Sequence, residues 1–279
     1  MTTRLIHLSD LHFGRDKPEL LRPLIETVNR LAPDVVAISG DLTQRAFSSQ
    51  FRAARTFIDH LDAPVLSVPG NHDLPIHRPF RRVLRPFTMY RRHISPDLEP
   101  TWLCPDLAVI GLNTASPWQW QSGWARGSSI RRAAMLCQSG PASRLNVIVA
   151  HHPFDMPAHS DKKAMRNAAM GLTKLTEAGA DIVLSGHLHR WHVITPPDPQ
   201  APGALQLHCG TGLSTRQRGE PNDFAMLDIG KPGEDSRVTI TRWIAGPDYR
   251  FSAREELIFH RGQDGWQSPS VQEIPADRA

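Results

Sequence analysis

Five apolar, β-type runs in this 279-residue chain each hand over to acids, amides or imidazoles. "RLIHLS" leads to Asp10-Leu11-His12, and "DVVAIS" to Gly40-Asp41. "APVLSVP" leads to Gly70-Asn71-His72-Asp73, "LNVIVA" to His151-His152, and "DIVLS" to Gly186-His187-Leu188-His189. Open α/β sheets hold their ligand sites beyond the carboxyl ends of their strands. A chain that loads each strand end with Asp, Asn or His is therefore constrained to collect those groups at one place. Asp and Asn after a strand are ordinary turn residues when they occur once; five such endings in series ask for a common purpose.

The segments between the runs fit that architecture. Asp16-Lys17-Pro18-Glu19 reads as a helix start, with Asp16 as N-cap and Pro18 inside the first turn. Leu20, Leu21, Leu24, Ile25, Val28 and Leu31 then follow helical spacing up to Pro33. A second helix carries Phe47, Phe51, Ala54, Phe57, Ile58 and Leu61. With strands at 35–39 and 65–68 this is a βαβαβ opening, which requires right-handed crossovers and a parallel sheet.

Further on, 78–93 reads as Arg-rich and partly helical, with Pro79 and Pro86 as breaks. Residues 102–103 and 107–112 form a hairpin turning at Pro105-Asp106, 129–137 and 162–178 are helices, and 147–150 and 182–185 are strands. From Trp191 the pattern is β, at 191–195, 205–208, 224–229, 237–243 and 249–259, with "PPDPQAPG" and "GKPGED" as loops. The expected fold is α/β: a four-layer α/β/β/α sandwich with two central mixed β-sheets, the second mostly antiparallel. One domain over 1–260 and a poorly ordered polar tail over 261–279 complete the expectation.

Composition narrows the function classes. Lys+Arg exceed Asp+Glu by 32 to 28, a net charge of +4 that favours anionic ligands but is too diffuse to signal nucleic-acid binding. Cys104, Cys137 and Cys209 are odd in number and widely spaced, which argues against a disulfide framework and for reduced thiols in a cytoplasmic protein. The first strand starts close to Met1 and no apolar run approaches ~20 residues, so neither a cleavable leader nor a membrane span is expected.

The donor set suits metal ions. Residues i and i+2 of a strand share a side, so Asp10 and His12 can reach one ion together. Asp41 has two oxygens and can bridge two ions, Asn71 adds a neutral oxygen, and His151, His187 and His189 bring the donors to seven. Mixed Asp, Asn and His coordination without cysteine suits first-row transition metals. Two divalent ions, two carboxylates and a bridging hydroxide leave a net charge of about +1, which would attract phosphate. Two ions ~3.5–4 Å apart activate a bridging water for in-line displacement at phosphorus. His72, beside Asn71, is placed to protonate a poor leaving group, and Asp73 either orients that imidazole or caps the next turn.

As a set, Asp10-x-His12, Gly40-Asp41, Gly70-Asn71-His72-Asp73, His151-His152-Pro153 and Gly186-His187-x-His189 resemble the motifs of the calcineurin-like metallophosphoesterases. The resemblance covers about residues 4–195. It implies that Asp10, His12, Asp41 and His189 hold one ion and that Asp41, Asn71, His151 and His187 hold the other, with His72 near the leaving group. The metals would be Mn, Fe, Zn or Co.

Departures from related groups narrow the reading. Gln44 stands where protein Ser/Thr phosphatases carry a further Asp. His72 stands where the lipid A pathway pyrophosphohydrolases usually carry Arg. DNA-repair nucleases of the superfamily carry a further portion for which about ninety residues after His189 leave little room. The wording looks most like the bacterial cyclic-nucleotide and glycerophosphodiester phosphodiesterases. The expected activity is thus a phosphodiesterase on a small phosphoester substrate, with a metal-bridging hydroxide as nucleophile and His72 as acid. The alternatives are a phosphomonoesterase, a nucleotide pyrophosphohydrolase, or a scaffold without turnover.

Other residues carry blander readings. His7 is expected as a satisfied core histidine, and His152 as a packing neighbour of the site. Asn113 and Thr114 are expected on the substrate rim, and His192 could line a pocket behind His189. His77, His93, His159 and His208 belong to no motif. Trp118, Trp120 and Trp124 read as a loop folded onto the domain, the sharper alternative being a lid or a homodimer contact. Arg78, Arg81, Arg82, Arg85, Arg91 and Arg92 read as a solvated face, the alternative being a seat for an anionic substrate tail.

Overall fold

The first three apolar runs become β1 (Thr3–Leu8), β2 (Val35–Ile38) and β3 (Val65–Ser67), parallel neighbours in one sheet. These belong to a computed structural model that describes residues 2–156, 162–196, 203–230, 236–262, 265–267 and 270–274. Helices α1 (Pro18–Arg30) and α2 (Ser48–Asp59) make the crossovers. α1 buries Leu20, Leu24 and Val28 on one stripe, and α2 buries Phe51, Ala54, Phe57 and Ile58. Each fully buried Leu, Val or Phe of these stripes contributes about 1.5–3 kcal/mol.

The chain then forms α3 (Pro79–Leu84), α4 (Thr88–His93), β4 (Thr101–Leu103), β5 (Leu107–Leu112), α5 (Gly127–Gln138), β6 (Leu145–Ala150), α6 (Ala168–Glu177), β7 (Ile182–Ser185), β8 (His192–Ile194) and β9 (Leu205–His208). Strands β5, β6, β7 and β9 run parallel, with β4 and β8 as antiparallel edges, in the order β4-β5-β6-β7-β9-β8. The last strands are β10 (Asp223–Ile229), β11 (Ser236–Ala245), β12 (Phe251–Gly262), β13 (Gly265–Trp266) and β14 (Ser270–Glu273).

Three apolar clusters define the four layers. Period-2 alternation sends Leu5, Val35 and Ala37 to a core between the sheets, shared with Val147, Val149 and Leu184. Their neighbours Ile6, Val36 and Ile38 pack on α1 and α2, while Ile148, Ala150 and Val183 pack on α5 and α6. The α/β/β/α sandwich is confirmed. Both sheets are mixed, as expected, but the strand partition differs: β10 pairs antiparallel with β1, so the C-terminal meander extends the first sheet and leaves the second mostly parallel.

Local boundaries also differ. Asp16 does not cap α1; its Oδ1 accepts from the Gly14 N–H at 2.8 Å, and the N-cap is Lys17. Pro79 opens α3 where a break was expected, since its missing N–H costs nothing at a first helical position. The helix expected over 162–178 starts only at Ala168. The tail expected to be poorly ordered over 261–279 instead continues the sheet in its described residues. β13 and β14 pair with β12, and Trp266 is buried in the inter-sheet core. Most of the two expected loops, "PPDPQAPG" and "GKPGED", together with His159, lies outside the described residues. Among the described residues no helix is long and apolar enough to cross a membrane.

Candidate metal centre

Asp10 and His12 follow β1, Asp41 follows β2, Asn71 and His72 follow β3, His151 follows β6, and His187 and His189 follow β7. The seven expected donors thus arrive on the carboxyl ends of parallel strands from both sheets, and none is more than 6% exposed. Three sets of ligand atoms each lie within 4.8 Å of one another: Asp10, His12 and His189; Asp10, Asp41 and His151; and His151, His152 and His187. Asn71 joins them through Oδ1, 3.2 Å from His151 Nε2.

The backbone is bent to bring them there. Asp10, His12, Asp41, His187 and His189 have φ of 52°, 49°, 50°, 68° and 58°. That left-handed region is unfavourable for residues with a β-carbon, at roughly 1–3 kcal/mol each. Cross-strand hydrogen bonds over-determine it: His12 N–H donates to the Asp41 carbonyl at 3.0 Å and Asp10 N–H to the Gly40 carbonyl at 3.2 Å. Glycine is required where loops touch. A β-carbon on Gly186 would overlap the Asp10 carboxylate, and one on Gly70 would overlap Asp41.

The side chains fit cations. His151 Nδ1 donates to the Ser39 carbonyl and His189 Nδ1 to the Arg216 carbonyl, both at 2.8 Å. A carbonyl only accepts, so these bonds fix a proton on each Nδ1 and turn the two Nε2 atoms inward, where a bound cation would take their lone pairs. His12 Nε2 and His189 Nε2 stand 3.2 Å apart. Asp10 Oδ1, buried and without a hydrogen-bond partner, lies 3.4 Å and 3.1 Å from them. An orphaned carboxylate oxygen facing two imidazole nitrogens is the arrangement that a positive ion completes. Asp41 Oδ2 lies 3.3 Å from His151 Nε2 and 3.7 Å from His12 Nε2, between the two groups of donors.

Electrostatics point the same way. Burial alone would raise Asp10 and Asp41. The imidazoles around them, His189 and His12 at Asp10 and His151 and His72 at Asp41, outweigh it and hold both carboxyls well below their ordinary range. Burial pulls His151 down, but Asp41 reverses this and lifts it to about 9. Burial and then neighbouring imidazoles hold His187 and His152 well below the ordinary value, so both rings are neutral and available as ligands.

His72 stands at the edge of this cluster, its ring centroid 4.9 Å from that of His12. Its Nδ1 donates to the Gln44 carbonyl at 2.9 Å, and its Nε2 accepts from Arg216 Nη1 at 2.9 Å. Asp73 does not touch His72. Its carboxylate accepts from the N–H groups of Leu42, Thr43 and Gly70 and from Thr43 Oγ1, stapling the loop after β2 to the loop after β3. Burial, followed by the charge of Asp41, pushes Asp73 up to about 7.

Several participants escaped sequence reasoning. Arg216 supplies both the carbonyl that orients His189 and the guanidinium that meets His72. Its loop is pinned by Asn222 Nδ2, which donates to the carbonyls of Thr211 and Ser214. The signal was available: "HCGTGLSTR" also follows a parallel strand, β9. Lys162 donates to the His187 carbonyl, and burial lowers its ammonium to about 8. Ser9 Oγ donates to Asp10 Oδ2 at 2.6 Å and accepts from Ser39 Oγ at 2.8 Å. His7 extends that chain, with Nε2 2.8 Å from Ser39 Oγ and Nδ1 3.1 Å from Cys209 Sγ, which makes it the satisfied core histidine expected.

Asn113 and Thr114 are buried, not on a rim, and Thr114 Oγ1 lies 2.8 Å from His152 Nδ1. His192, on the edge strand β8, stacks on His208 and lines a cavity with Trp191 and Val193. In the tryptophan loop, Trp120 lies under Arg82, and Trp124 is flanked by Arg126 and Arg166.

The four-layer α/β/β/α sandwich thus carries a buried Asp/Asn/His cluster across the ends of both its sheets. Residues 3–191 match the model of the calcineurin-like phosphoesterases, and the chain belongs to that family. It is 26% identical to a probable cyclic nucleotide phosphodiesterase of Pseudoalteromonas sp. (strain SM9913), over 67% of this chain and 71% of that one. It is 25% identical to a glycerophosphodiester phosphodiesterase of Enterobacter lignolyticus (strain SCF1), over 53% of this chain and 56% of that one. The shares of the curated relatives' own lengths that the chain covers run from 33% to 71%. Among solved structures it resembles a purple acid phosphatase from yellow lupin seeds, with a TM-score of 0.63 and 12% identity over 97% of this chain and 53% of that one. At that identity the likeness is one of fold.

Proposed function

We propose that the chain is a binuclear phosphodiesterase acting on a small substrate, a cyclic nucleotide or a glycerophosphodiester. The observation that carries the binuclear reading is the place of Asp41, whose Oδ2 lies between His12 and His151. On this reading Asp10, His12, Asp41 and His189 hold one ion, and Asp41, Asn71, His151 and His187 the other. When bound, a pair of Mn, Fe, Zn or Co ions supplies positive charge for a phosphoryl oxygen and an acidified water as nucleophile.

The chain's own residues prepare the substrate. Arg216 is the phosphate-binding cation: a phosphate oxygen is a stronger acceptor for a guanidinium than a neutral imidazole is. Its transfer from His72 to the substrate frees Nε2. His72, held at Nδ1 by the Gln44 carbonyl, can then carry a proton on Nε2 and deliver it to the departing alkoxide. Burial of the cluster strengthens each of these interactions by excluding water.

The relatives named for cyclic nucleotides and glycerophosphodiesters support a diester over a monoester. The test is hydrolysis of bis(p-nitrophenyl) phosphate with Mn²⁺ before and after chelation, followed by comparison of 3′,5′-cyclic AMP, glycerophosphocholine and p-nitrophenyl phosphate by kcat/KM. Chelator-sensitive turnover with the diesters ahead is the expected result. A monoester preference would overturn the substrate class, and absence of any metal-dependent turnover would overturn the enzyme mechanism.

A further inference from the structure

The loops after β2 and β3 that carry Asp41 and Asn71 run on into a basic cavity. Residues from 45–48 and 75–92 enclose a cavity of about 470 Å³ lined by Arg45, Arg78, Arg81, Arg85 and Arg92, with no carboxylate in its wall. Arg45 Nη1 lies 3.2 Å from His77 Nε2. Among the described residues the other four guanidinium groups make no hydrogen bond or ion pair. Unpaired like charges around one concavity repel each other, and a multivalent anion relieves that repulsion. The planar guanidinium fork also matches phosphate better than a lysine would.

The cavity's position ties it to the reaction. Arg45 directly follows Gln44, whose carbonyl holds His72, and Pro75 follows by two residues the Asp73 that staples the ligand loops. Its wall is therefore continuous with the loops presenting Asp41, Asn71 and His72, on the side of the proposed leaving-group acid. An aromatic shelf completes it: Phe47 and His77 stack at 5.6 Å with 12° between planes, and Phe47 is 49% exposed. Such a shelf suits a nucleobase, for which stacking contributes ~1–3 kcal/mol. The exposed Phe80 and Leu84 of α3 would suit a membrane surface instead, but neither lines the cavity.

We propose that this cavity is a subsite for a phosphorylated nucleoside on the leaving-group side of the scissile diester, so that the substrate carries a further phosphate there. The arginines hold that phosphate and the Phe47–His77 shelf holds the base. This assignment narrows the diester of the phosphodiesterase reading to one whose leaving group is a phosphorylated nucleoside, in place of a simple cyclic nucleotide or glycerol diester; it rests on that reading for its catalytic consequence, and on the cavity alone for anion binding.

Two measurements test it separately. The first is calorimetric titration of chelator-stripped protein with inorganic tripolyphosphate, for the wild type and for Arg81→Ala/Arg85→Ala. Both side chains are exposed, so the fold should survive, which a thermal melt verifies. Saturable binding, weakened at least tenfold in the variant and by added salt, is the expected result. Absence of binding, or undiminished binding in the variant, would overturn the site. Capture on phosphatidylglycerol vesicles without tripolyphosphate binding would also overturn it and give the face to a membrane surface. The second is kcat/KM of Mn²⁺-loaded protein for the internal diester of pTpT and of TpTp, each relative to TpT. One of the two ratios should stand near ten in the wild type and fall towards one in the variant. Ratios near one throughout would remove the substrate role. If no diester is turned over while tripolyphosphate binding and its loss persist, the phosphodiesterase reading fails and the anion site stands.

Discussion

The donor cluster and the arginine cavity draw on the same two loops, after β2 and after β3, and are built by opposite means. The cluster's donors are buried and follow strand ends, and five of the seven are in left-handed backbone, Asp10 and His12 among them pinned by hydrogen bonds to the loop after β2. The cavity's arginines are exposed and ride on two short helices and their flanking loops. α4 is anchored by Tyr90, whose hydroxyl donates to Ser67 Oγ at 2.9 Å inside the core. Ions need donors placed within a fraction of an ångström, so rigidity and local strain serve them. A phosphorylated tail needs charge and reach, which long, exposed guanidinium side chains supply without a fixed frame. Substitutions should therefore act steeply in the cluster, and gradually and with salt dependence in the cavity.

The largest effect belongs to Asp41. Asp41→Ala removes the proposed shared ligand and should abolish nearly all metal-dependent turnover; normal turnover would break the contrast at once. His72→Ala should slow alkyl esters by ~10²–10⁴, with p-nitrophenyl esters much less affected because their leaving group needs no proton. Equal losses for both would make His72 a phosphate-orienting group. Arg216→Ala removes a charged hydrogen bond worth about 1.5–3 kcal/mol, which corresponds to a fall in kcat/KM of roughly 10- to 100-fold. A smaller loss than for Arg81→Ala/Arg85→Ala on the same diester would reverse the ranking of the two regions.

The buried side should also respond to acid. Burial depresses His7 and His208 to about 3. Their unfolded forms bind protons first, so the stability they contribute is complete above the unfolded value near 6.5 and is lost as pH falls towards 3. Asp181 and Asp223, raised to about 6 by burial, act in the opposite sense, since the folded state binds their protons more tightly and gains stability as pH falls from 6 towards 4. In urea titrations at pH 7, 5 and 4, the wild type should lose more stability than His208→Gln. Parallel losses would remove His208 from the account.

How much of this was legible in the sequence depended on what fixes each element. The ligands were legible because each follows a strand, and a strand end leaves little freedom in where its next residues point. The layers were legible because alternation sorted Leu5 from Ile6 and Val147 from Ile148 to opposite faces. Strand partners were not, since alternation marks a strand without naming its neighbour, so the pairing of β10 with β1 had no local signal. Arg216 was missed because its place depends on Asn222 bonds across the loop. Asp16 was misread because an Asp before Lys-Pro-Glu accepts from the backbone N–H two residues back, at Gly14, as readily as it caps a helix. Trp266 lay in a stretch too polar to suggest that its indole reaches the inter-sheet core.

The central claim is that these strand-end donors clasp two ions that share Asp41. Metal analysis of purified protein loaded with Mn²⁺, joined to anomalous diffraction from its crystals, tests it most directly. The account requires two ions per chain, one beside Asp10, His12 and His189 and one beside Asn71, His151 and His187, with both weakened in Asp41→Ala. A single ion, or two ions whose occupancy Asp41→Ala leaves intact, would contradict it.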